Sequence, residues 1–293
     1  MNEAFTLEAR GRVRRRKRTN RFTEVLATLA ALLAVGVLAV VVISVFLRAL
    51  PVFNLELFTG VQPLFGETGG GLAHALVGTI VLVFLATLMA LPFGVLIAIF
   101  VNEFARPSIA QPIRLALDVL NGVPSIVIGV FVFALIVEPL HQQSGWAGAF
   151  ALAIVMLPLV ARATMEVLAL VPSTLREAGF ALGVSRWRTV LRVVLPTVLG
   201  GVLTGAVLAI ARAAGETAPL LFTSSLYANE VSFDPRDPLP SLPVTIFTYS
   251  EQADPTLNDQ AWAAAFLLMA FVLVLSLVAR AALARSRRKL EGR

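Results

Sequence analysis

The sequence predicts an all-α protein that crosses the membrane with about six helices, and two observations support this prediction. Hydrophobic residues make up 58% of the 293 residues and charged residues only 14%, which is too little charge to cover a soluble domain of this size. The apolar residues also form unbroken runs of about 20, the length at which a helix crosses the hydrocarbon core of a bilayer. Because lipid offers no hydrogen-bond partners to the backbone, these runs are predicted to be helices.

Six apolar runs follow one another along the chain. The first is longer than the core of a cleavable signal peptide, so it is predicted to remain in the membrane. Pro92 and Gly94 interrupt the second run, and prolines within spans are tolerated where neighbouring helices satisfy the freed carbonyls. The predicted spans are residues 25–47, 76–101, 115–137, 146–165, 196–222 and 262–279.

Basic residues lie almost entirely on one side of this predicted topology. Of the 24 Lys and Arg residues, only Arg48 and Arg236 fall in segments placed outside, and Arg212 falls within a span. Lys and Arg are enriched at the cytoplasmic ends of membrane helices, so both termini are predicted to be cytoplasmic. The net charge of +6 therefore indicates a topogenic signal, and no nucleic-acid partner is predicted.

Several kinds of chemistry are disfavoured by the composition. The chain has no cysteine, and its two histidines, His74 and His141, fall in different segments, so no metal site is predicted. No Walker A pattern occurs, so a nucleotide that drives transport would bind another chain. Charged residues within the spans are too sparse to suggest a catalytic cluster, which leaves a membrane-embedded enzyme and an ion channel as remote alternatives.

A short amphipathic helix is predicted in the cytoplasmic loop between the fourth and fifth spans. Thr174 can cap its N-terminus, and Glu177 follows at the spacing of a capping box. Gly183 suits the left-handed turn that ends such a helix. A rigid helix held between two spans is suited to transmit movement from a partner protein.

The same loop resembles the EAA loop of ABC importer permeases, whose pattern is E-A-A-x3-G-x9-I-x-L-P. The matching positions are Glu177, Ala178, Gly183, Leu195 and Pro196. Gly179 replaces the second alanine of the pattern, and Val193 replaces the isoleucine. In that family the loop docks into the ATPase subunit, so residues 172–196, Gly179 included, are expected to couple this chain to an ATPase.

A lone arginine lies inside the fifth predicted span. At 1.5 Å per residue, Arg212 is about 24 Å from the helix start near Pro196, and Glu216 follows one turn later. A charge at this depth is costly unless it faces a cavity or a partner. Either the two residues form a structural bridge between helices, or Arg212 lines a pathway and attracts an oxyanion, for which guanidinium geometry is suited.

The segment around Arg212 also resembles the signature of phosphate permeases of the PstA type. Matching pieces occur at residues 120–129, 212–223 and 242–247, and the similarity extends over residues 70–282. It implies a type I importer fold, MetI-like, with five core helices after a peripheral helix. The remaining predicted parts are the basic cytoplasmic segment 1–21, the peripheral helix 22–48, the outer loop 224–261 and the basic tail 283–293. The first of these could also bind anionic membrane lipid.

The resemblance implies a phosphate importer of several subunits in the bacterial inner membrane. The chain would pair with a homologous permease of the PstC type above a homodimeric ATPase of the PstB type, which uses ATP and Mg. A phosphate-binding protein of the PstS type would deliver the substrate. The chain itself would bind no cofactor and catalyse no reaction. A sulfate or molybdate permease is the nearest alternative.

Three further charged residues are weaker candidates for a role in transport. Asp118 is expected to act as a cap or as an ion-pair partner near the cytoplasmic end of the third span. Arg162 and Glu166, four residues apart near the inner end of the fourth span, can pair with each other or contribute to an inner gate.

Overall fold

The computed structural model of the chain describes residues 12–62, 69–226 and 230–290, and these residues form helices and loops. Parts of the predicted basic segment 1–21, of the outer loop 224–261 and of the tail 283–293 lie outside them. The α-helices of the described part are α1 (Arg12–Ala49), α2 (Leu55–Thr59), α3 (Ala73–Ile99), α4 (Pro107–Gly122), α5 (Ser125–Val132), α6 (Glu138–Leu140), α7 (Gly145–Ala169), α8 (Ser173–Ala181), α9 (Arg186–Thr189), α10 (Leu195–Ala214), α11 (Ala218–Thr223), α12 (Leu242–Ser250) and α13 (Pro255–Leu290). Short π-helical stretches follow α3, α5 and α9, at Phe100–Phe104, Phe133–Val137 and Val190–Val194.

Five helical stretches of the described chain are long and apolar enough to cross a membrane, and a bent helix pair would make a sixth. They are Arg15–Val52, Ala73–Phe104, Gly145–Ala169, Arg186–Ala214 and Pro255–Ala281. The prediction of an all-helical protein with about six spans is thereby confirmed.

Helix α1, up to Arg48, forms one compact unit of the chain, and the residues from Ala49 onward form the other. The helix begins at Arg12, so it already includes part of the segment that was predicted as a polar tail. The basic side chains from Arg15 to Arg21 are exposed on its first turns.

The third predicted span is not a single helix, and this prediction was wrong. Helices α4 and α5 meet at a bend of 96° around residues 123–124. Pro124 has no N–H to donate and disfavours helical backbone at the preceding residue, and Val123 accordingly has ψ of 129°. The chain therefore leaves the helix at Val123 and resumes it at Ser125.

The fifth predicted span begins and ends earlier than expected. One helical stretch runs through Arg186–Ala214. Gly215 ends it, and α11 resumes only at Ala218, with Pro219 in its first turn. Glycine is a poor helix former and proline favours the first turn of a new helix, so the sequence supports a break here. The sequence also suggested a break at Pro92 and Gly94. Helix α3 runs through both residues without interruption.

Helix α7 lies at the centre of the core and packs along α3, α10 and α11. Small side chains at many of these contacts let the helix backbones approach closely. The main cluster includes Leu82, Ala86, Ala90, Leu152, Met156, Val160, Ala209, Ala213 and Leu220. A second cluster, at the predicted cytoplasmic ends of α3 and α7, includes Ile99, Ala161, Met165, Leu168, Val190 and Val194. The loop that carries α8 and α9 is therefore packed onto the ends of two core helices.

Candidate functional site

The predicted coupling helix is present as α8, but its N-terminus differs from the prediction. The helix begins at Ser173, Pro172 precedes it, and no side chain caps it. The assignment of Thr174 as the N-cap was therefore wrong. Pro172, with φ of −60° and ψ of 142°, directs the chain into the helix directly, so Thr174 lies within the first turn.

The end of α8 has the left-handed turn that the sequence predicted at Gly183. This residue has φ of +71°. Its amide donates to the carbonyl of Phe180 at 2.9 Å, and the amide of Val184 donates to the carbonyl of Gly179 at 3.1 Å. Together these two bonds form a Schellman motif, which needs a glycine at this position to avoid strain.

Gly179, one of the two residues that depart from the EAA pattern, is explained by packing. A Cβ atom at this position would lie 2.6 Å from Cγ2 and 2.8 Å from Oγ1 of Thr189. Both residues are buried. Helix α8 therefore approaches α9 so closely that glycine fits where the family pattern has alanine.

Several large apolar side chains of the coupling loop are exposed in this chain. Leu182 is 82% exposed, and three further large side chains around it are also exposed. We call this group the docking face; it consists of Leu175, Phe180, Leu182 and Trp187. Glu177 and Ala178 are exposed beside it. A group of large exposed apolar side chains on one short loop is typical of a protein interaction surface.

The last two residues of the EAA-like pattern have a different environment. Leu195 and Pro196 form the first turn of α10. Leu195 packs against the second core cluster, at the ends of α3 and α7. These two residues therefore join the coupling loop to α10, the span that directly follows it.

An ion pair that the sequence did not reveal connects α8 to α3. Nη2 of Arg176 lies 2.6 Å from Oε1 of Glu103, and Nε lies 3.2 and 3.0 Å from the two carboxylate oxygens. The Glu103 side chain is only 4% exposed and that of Arg176 is 23% exposed. The hydrogen bonds with Glu103 raise the pKa of Arg176 above its usual value, so the guanidinium stays charged at any physiological pH.

The three weaker candidates lie together where α4 packs against the C-terminal half of α7. Arg162 pairs with Asp118 and lies 3.6 Å from Glu166, and all three side chains are at least half exposed. They line an open cavity together with Asn102 and Arg114. The structure thus brings these residues into one charged group. Asp118 is 44 residues from Arg162, so sequence spacing alone could not predict their contact.

Arg212 and Glu216 form a pair across the break between α10 and α11. Nε of Arg212 lies 3.6 Å from Oε1 of Glu216, and their side chains are 56% and 15% exposed. Arg212 lies in the last turn of α10, about 25 Å from Leu195 at 1.5 Å per residue, so it is far from the coupling loop. The sequence predicted that both residues lie on one continuous helix, which is wrong. The predicted contact between them is nevertheless formed.

The helices that follow the two breaks contact each other. Helix α5, after the break at Pro124, packs directly against α11, which follows the break at Gly215. Interrupted helices of this kind form substrate sites in many transporters, because their ends leave backbone groups free near the middle of the membrane. This contact places Glu216 close to the meeting point of two interrupted helices.

Comparison with known proteins gives one family. Residues 90–291 match the family described as binding-protein-dependent transport system inner membrane component. The phosphate transport system permease protein PstA of Yersinia pestis is 38% identical over 289 residues, which cover 98% of this chain and 97% of the relative. The protein of the same name from Pasteurella multocida (strain Pm70) is 39% identical over 266 residues, covering 90% and 94%.

Solved structures of more distant proteins share the fold. A chain of a bacterial alginate ABC transporter superposes with a TM-score of 0.65 at 15% identity, covering 90% of this chain and 94% of that one. A chain of the MetNI methionine ABC transporter gives a TM-score of 0.57 at 18% identity, covering 74% and 94%. The predicted fold of a type I importer permease is thereby confirmed. The chain belongs to the binding-protein-dependent transport system inner membrane components, as a multi-pass permease of the PstA type.

Proposed function

We propose that this chain forms one half of the membrane pathway of an ATP-driven importer for inorganic phosphate. The observation that carries the proposal is the 38% identity to a phosphate transport system permease over nearly the whole chain. The aligned region covers 98% of this chain, so it spans the segments that carry the interrupted helices and the Arg212–Glu216 pair.

Arg212 is the residue that best suits an oxyanion. Its guanidinium is planar and permanently charged, and two of its N–H groups can bind two phosphate oxygens at once. More than half of the side chain is exposed in the isolated chain, so donors are accessible. Glu216, which is more buried, holds the guanidinium in position and reduces its net attraction, so that the anion is also released.

A second permease would complete the pathway. Asp118, Arg162 and Glu166 are half exposed although α7 is a membrane span, and charges at such positions need a water-filled cavity or a protein partner. A homologous permease of the PstC type facing this surface would supply both. The charged group would then line the inner part of the pathway, where Arg162 could contribute to a gate.

The energy would come from separate chains. The docking face suits a homodimeric ATPase of the PstB type, which would bind ATP and Mg, and a PstS-type protein would deliver phosphate from outside. This chain would bind no cofactor and would not itself catalyse hydrolysis.

Uptake of labelled oxyanions tests the proposal. Cells that depend on this chain should accumulate labelled phosphate, and excess unlabelled phosphate should compete while sulfate and molybdate should not. The control strain lacks only this chain. Competition by sulfate or molybdate at the level of phosphate would contradict the substrate and favour the alternative oxyanion permease.

A further inference from the structure

The π-helical stretch Phe100–Phe104, which we call the π turn, ends α3 with three consecutive side chains that contact four different elements. Asn102 donates to the carbonyl of Met165 on α7 at 2.7 Å and accepts from Arg114 on α4 at 2.8 Å. Glu103 pairs with Arg176 on α8. The π turn is therefore the point at which the cytoplasmic elements of the chain meet.

Phe104 completes this set of contacts. Its ring lies 5.3 Å from the ring of Trp187, centroid to centroid, and Cζ of Arg186 lies 5.3 Å from the Phe104 centroid. Trp187 and Arg186 belong to α9. Both short helices of the coupling loop are thus held against the same turn of α3, one by charge and the other by aromatic contact.

Of these contacts, the Glu103–Arg176 pair is the most rigidly held. Arg176 makes five hydrogen bonds, three to the carboxylate of Glu103 and two to the carbonyls of Leu168 and Val171 at the end of α7. A planar guanidinium held on both edges has little freedom to rotate. Since Glu103 is almost fully buried, the pair cannot exchange its partner for water without a large cost.

We propose that Glu103 and Arg176 form a strut through which displacement of α8 is transmitted to α3, and that both are positioning residues for transport. Apart from the bonds to Glu103 and to the end of α7, helix α8 packs mainly against α9 and the π-helical stretch Val190–Val194, which belong to its own loop. Helix α3 in turn packs along α7 in the main core cluster. A movement of α8 would therefore reach α3 through Glu103, beside the two bonds that Arg176 makes to the end of α7.

The π turn is suited to receive such a movement. π-helical turns have a less regular hydrogen-bond ladder than α-helix and occur often at functional sites. Through Asn102 and Arg114 the same turn also contacts α4 beside the charged cavity of Asp118, Arg162 and Glu166. The strut thus connects the docking face with the residues that we assign to the inner pathway. This inference rests on the proposed function, since it requires an ATPase that displaces α8.

The experiment measures transport and hydrolysis separately in the complete transporter. The complex is isolated from its native host through a tag on this chain and reconstituted into liposomes with its binding protein. The variants are Glu103→Gln, Arg176→Gln, and the double change Glu103→Gln with Arg176→Met. Arg106→Gln is the control, because it removes one positive charge from an exposed position between α3 and α4, outside the coupling segment 172–196. The readouts are ATPase retained per chain, the ATP hydrolysis rate, and phosphate imported per ATP hydrolysed.

We expect all variants that assemble to retain the ATPase and to hydrolyse ATP. Phosphate imported per ATP should fall by about tenfold or more in the strut variants, within the usual range of coupling between two sites, and should be unchanged in Arg106→Gln. The double variant decides between the strut and a purely stabilising pair, because it leaves no lone buried charge. An assembled double variant with a low ratio supports the strut.

Two results would overturn the strut: a double variant with the wild-type ratio, or assembled single variants that keep that ratio. If a single variant fails to assemble, the double variant alone decides. Failure of the proposed function is recognised separately in the wild-type complex, which would then hydrolyse ATP without importing phosphate. In that case the ratio is measured with the oxyanion that is imported, and the same comparison holds.

Discussion

Arg176 and Arg212 are both paired with a glutamate, yet their surroundings suit them to different tasks. Arg176 contacts a nearly inaccessible carboxylate and is held by five hydrogen bonds. Arg212 has one longer contact, of 3.6 Å, and more than half of its side chain is exposed. A fixed and satisfied guanidinium can transmit position, whereas an accessible one keeps donors for a ligand.

Replacement of Arg212 tests its role in anion passage. We expect Arg212→Gln to reduce phosphate uptake by about 10–100-fold, which corresponds to the 1.5–3 kcal/mol contributed by a hydrogen bond to a charged group. Arg212→Lys should be a poor substitute, because lysine keeps the charge but loses the planar donor geometry. The measurement is uptake of labelled phosphate, with co-purification of the ATPase as the check on assembly.

The double change Arg212→Gln with Glu216→Gln separates this role from a structural one. It removes both charges, so no uncompensated charge remains in the membrane. An assembled but inactive double variant agrees with a role in the pathway. Restored uptake would instead make Arg212 part of the scaffold.

The contact between Gly179 and Thr189 gives a prediction about stability. We expect Gly179→Ala to destabilise the chain by about 1–3 kcal/mol through overpacking, which exceeds the gain of about 0.5–1 kcal/mol from better helix propensity. The measurement is the midpoint of heat-induced aggregation in detergent. In the Thr189→Ala background the same change should be neutral or stabilising, because the clashing atoms Cγ2 and Oγ1 are absent. An equal loss in both backgrounds would rule out this contact as the cause.

At the scale of elements, some prolines interrupt a helix and others do not, and the local sequence does not distinguish the two cases. Pro92 and Pro158 lie inside continuous helices, whereas Pro124 lies at a 96° bend. Helices α3 and α7 pack along each other in the main core, which supports a continuous helix despite a missing hydrogen bond. The decisive contacts are distant in sequence, so the apolar run 115–137 predicted a span without revealing its break.

In the candidate site, likewise, contacts between residues close in sequence could be predicted and contacts between distant residues could not. Arg212 with Glu216, and Arg162 with Glu166, are four residues apart, so spacing alone predicted their contact. The turn at Gly183 was also predictable, because a left-handed residue after a helix favours glycine. Glu103 and Arg176 are 73 residues apart, and only the folded chain brings them together. A carboxylate at the end of the second apolar run was the one local signal that could have been noticed.

The docking face predicts which substitutions weaken ATPase association. We expect Leu182→Asp and Glu177→Lys to lower retention of the ATPase by about 10–100-fold, the usual loss for a 1–3 kcal/mol interface residue. Leu55→Asp is the matched control, because Leu55 is 79% exposed like Leu182 but lies on the predicted outer side. The measurement is the ATPase recovered per tagged chain at increasing salt and detergent. Equal retention in all three variants would argue against docking at α8.

At the scale of the whole molecule, the distribution of charge and the number of spans give the same topology. With the bent pair counted as one span, six crossings would place both termini on the same side. The distribution of basic residues predicts that this side is the cytoplasm. The coupling loop and the π turn then lie on the side where an ATPase has access to them.

Reporter fusions test this topology along the entire chain. We expect fusions after residues 55 and 240 to report an external location, and fusions after residues 106, 185 and 288 to report a cytoplasmic one. An alkaline phosphatase and a fluorescent protein at each position provide opposite signals and serve as mutual controls. An external signal at residue 185 would contradict the six-span arrangement.

The exposed leucines and aromatics of the docking face have a consequence for the life of the protein in the cell. A newly inserted copy that has not yet bound an ATPase would expose the docking face to the cytosol. Chaperones and membrane proteases bind exposed apolar surfaces of this kind. Orphan copies would be removed, while assembled copies would be shielded. The abundance of the permease would thus follow the supply of its ATPase, and a balanced subunit ratio would arise from selective degradation rather than from matched synthesis.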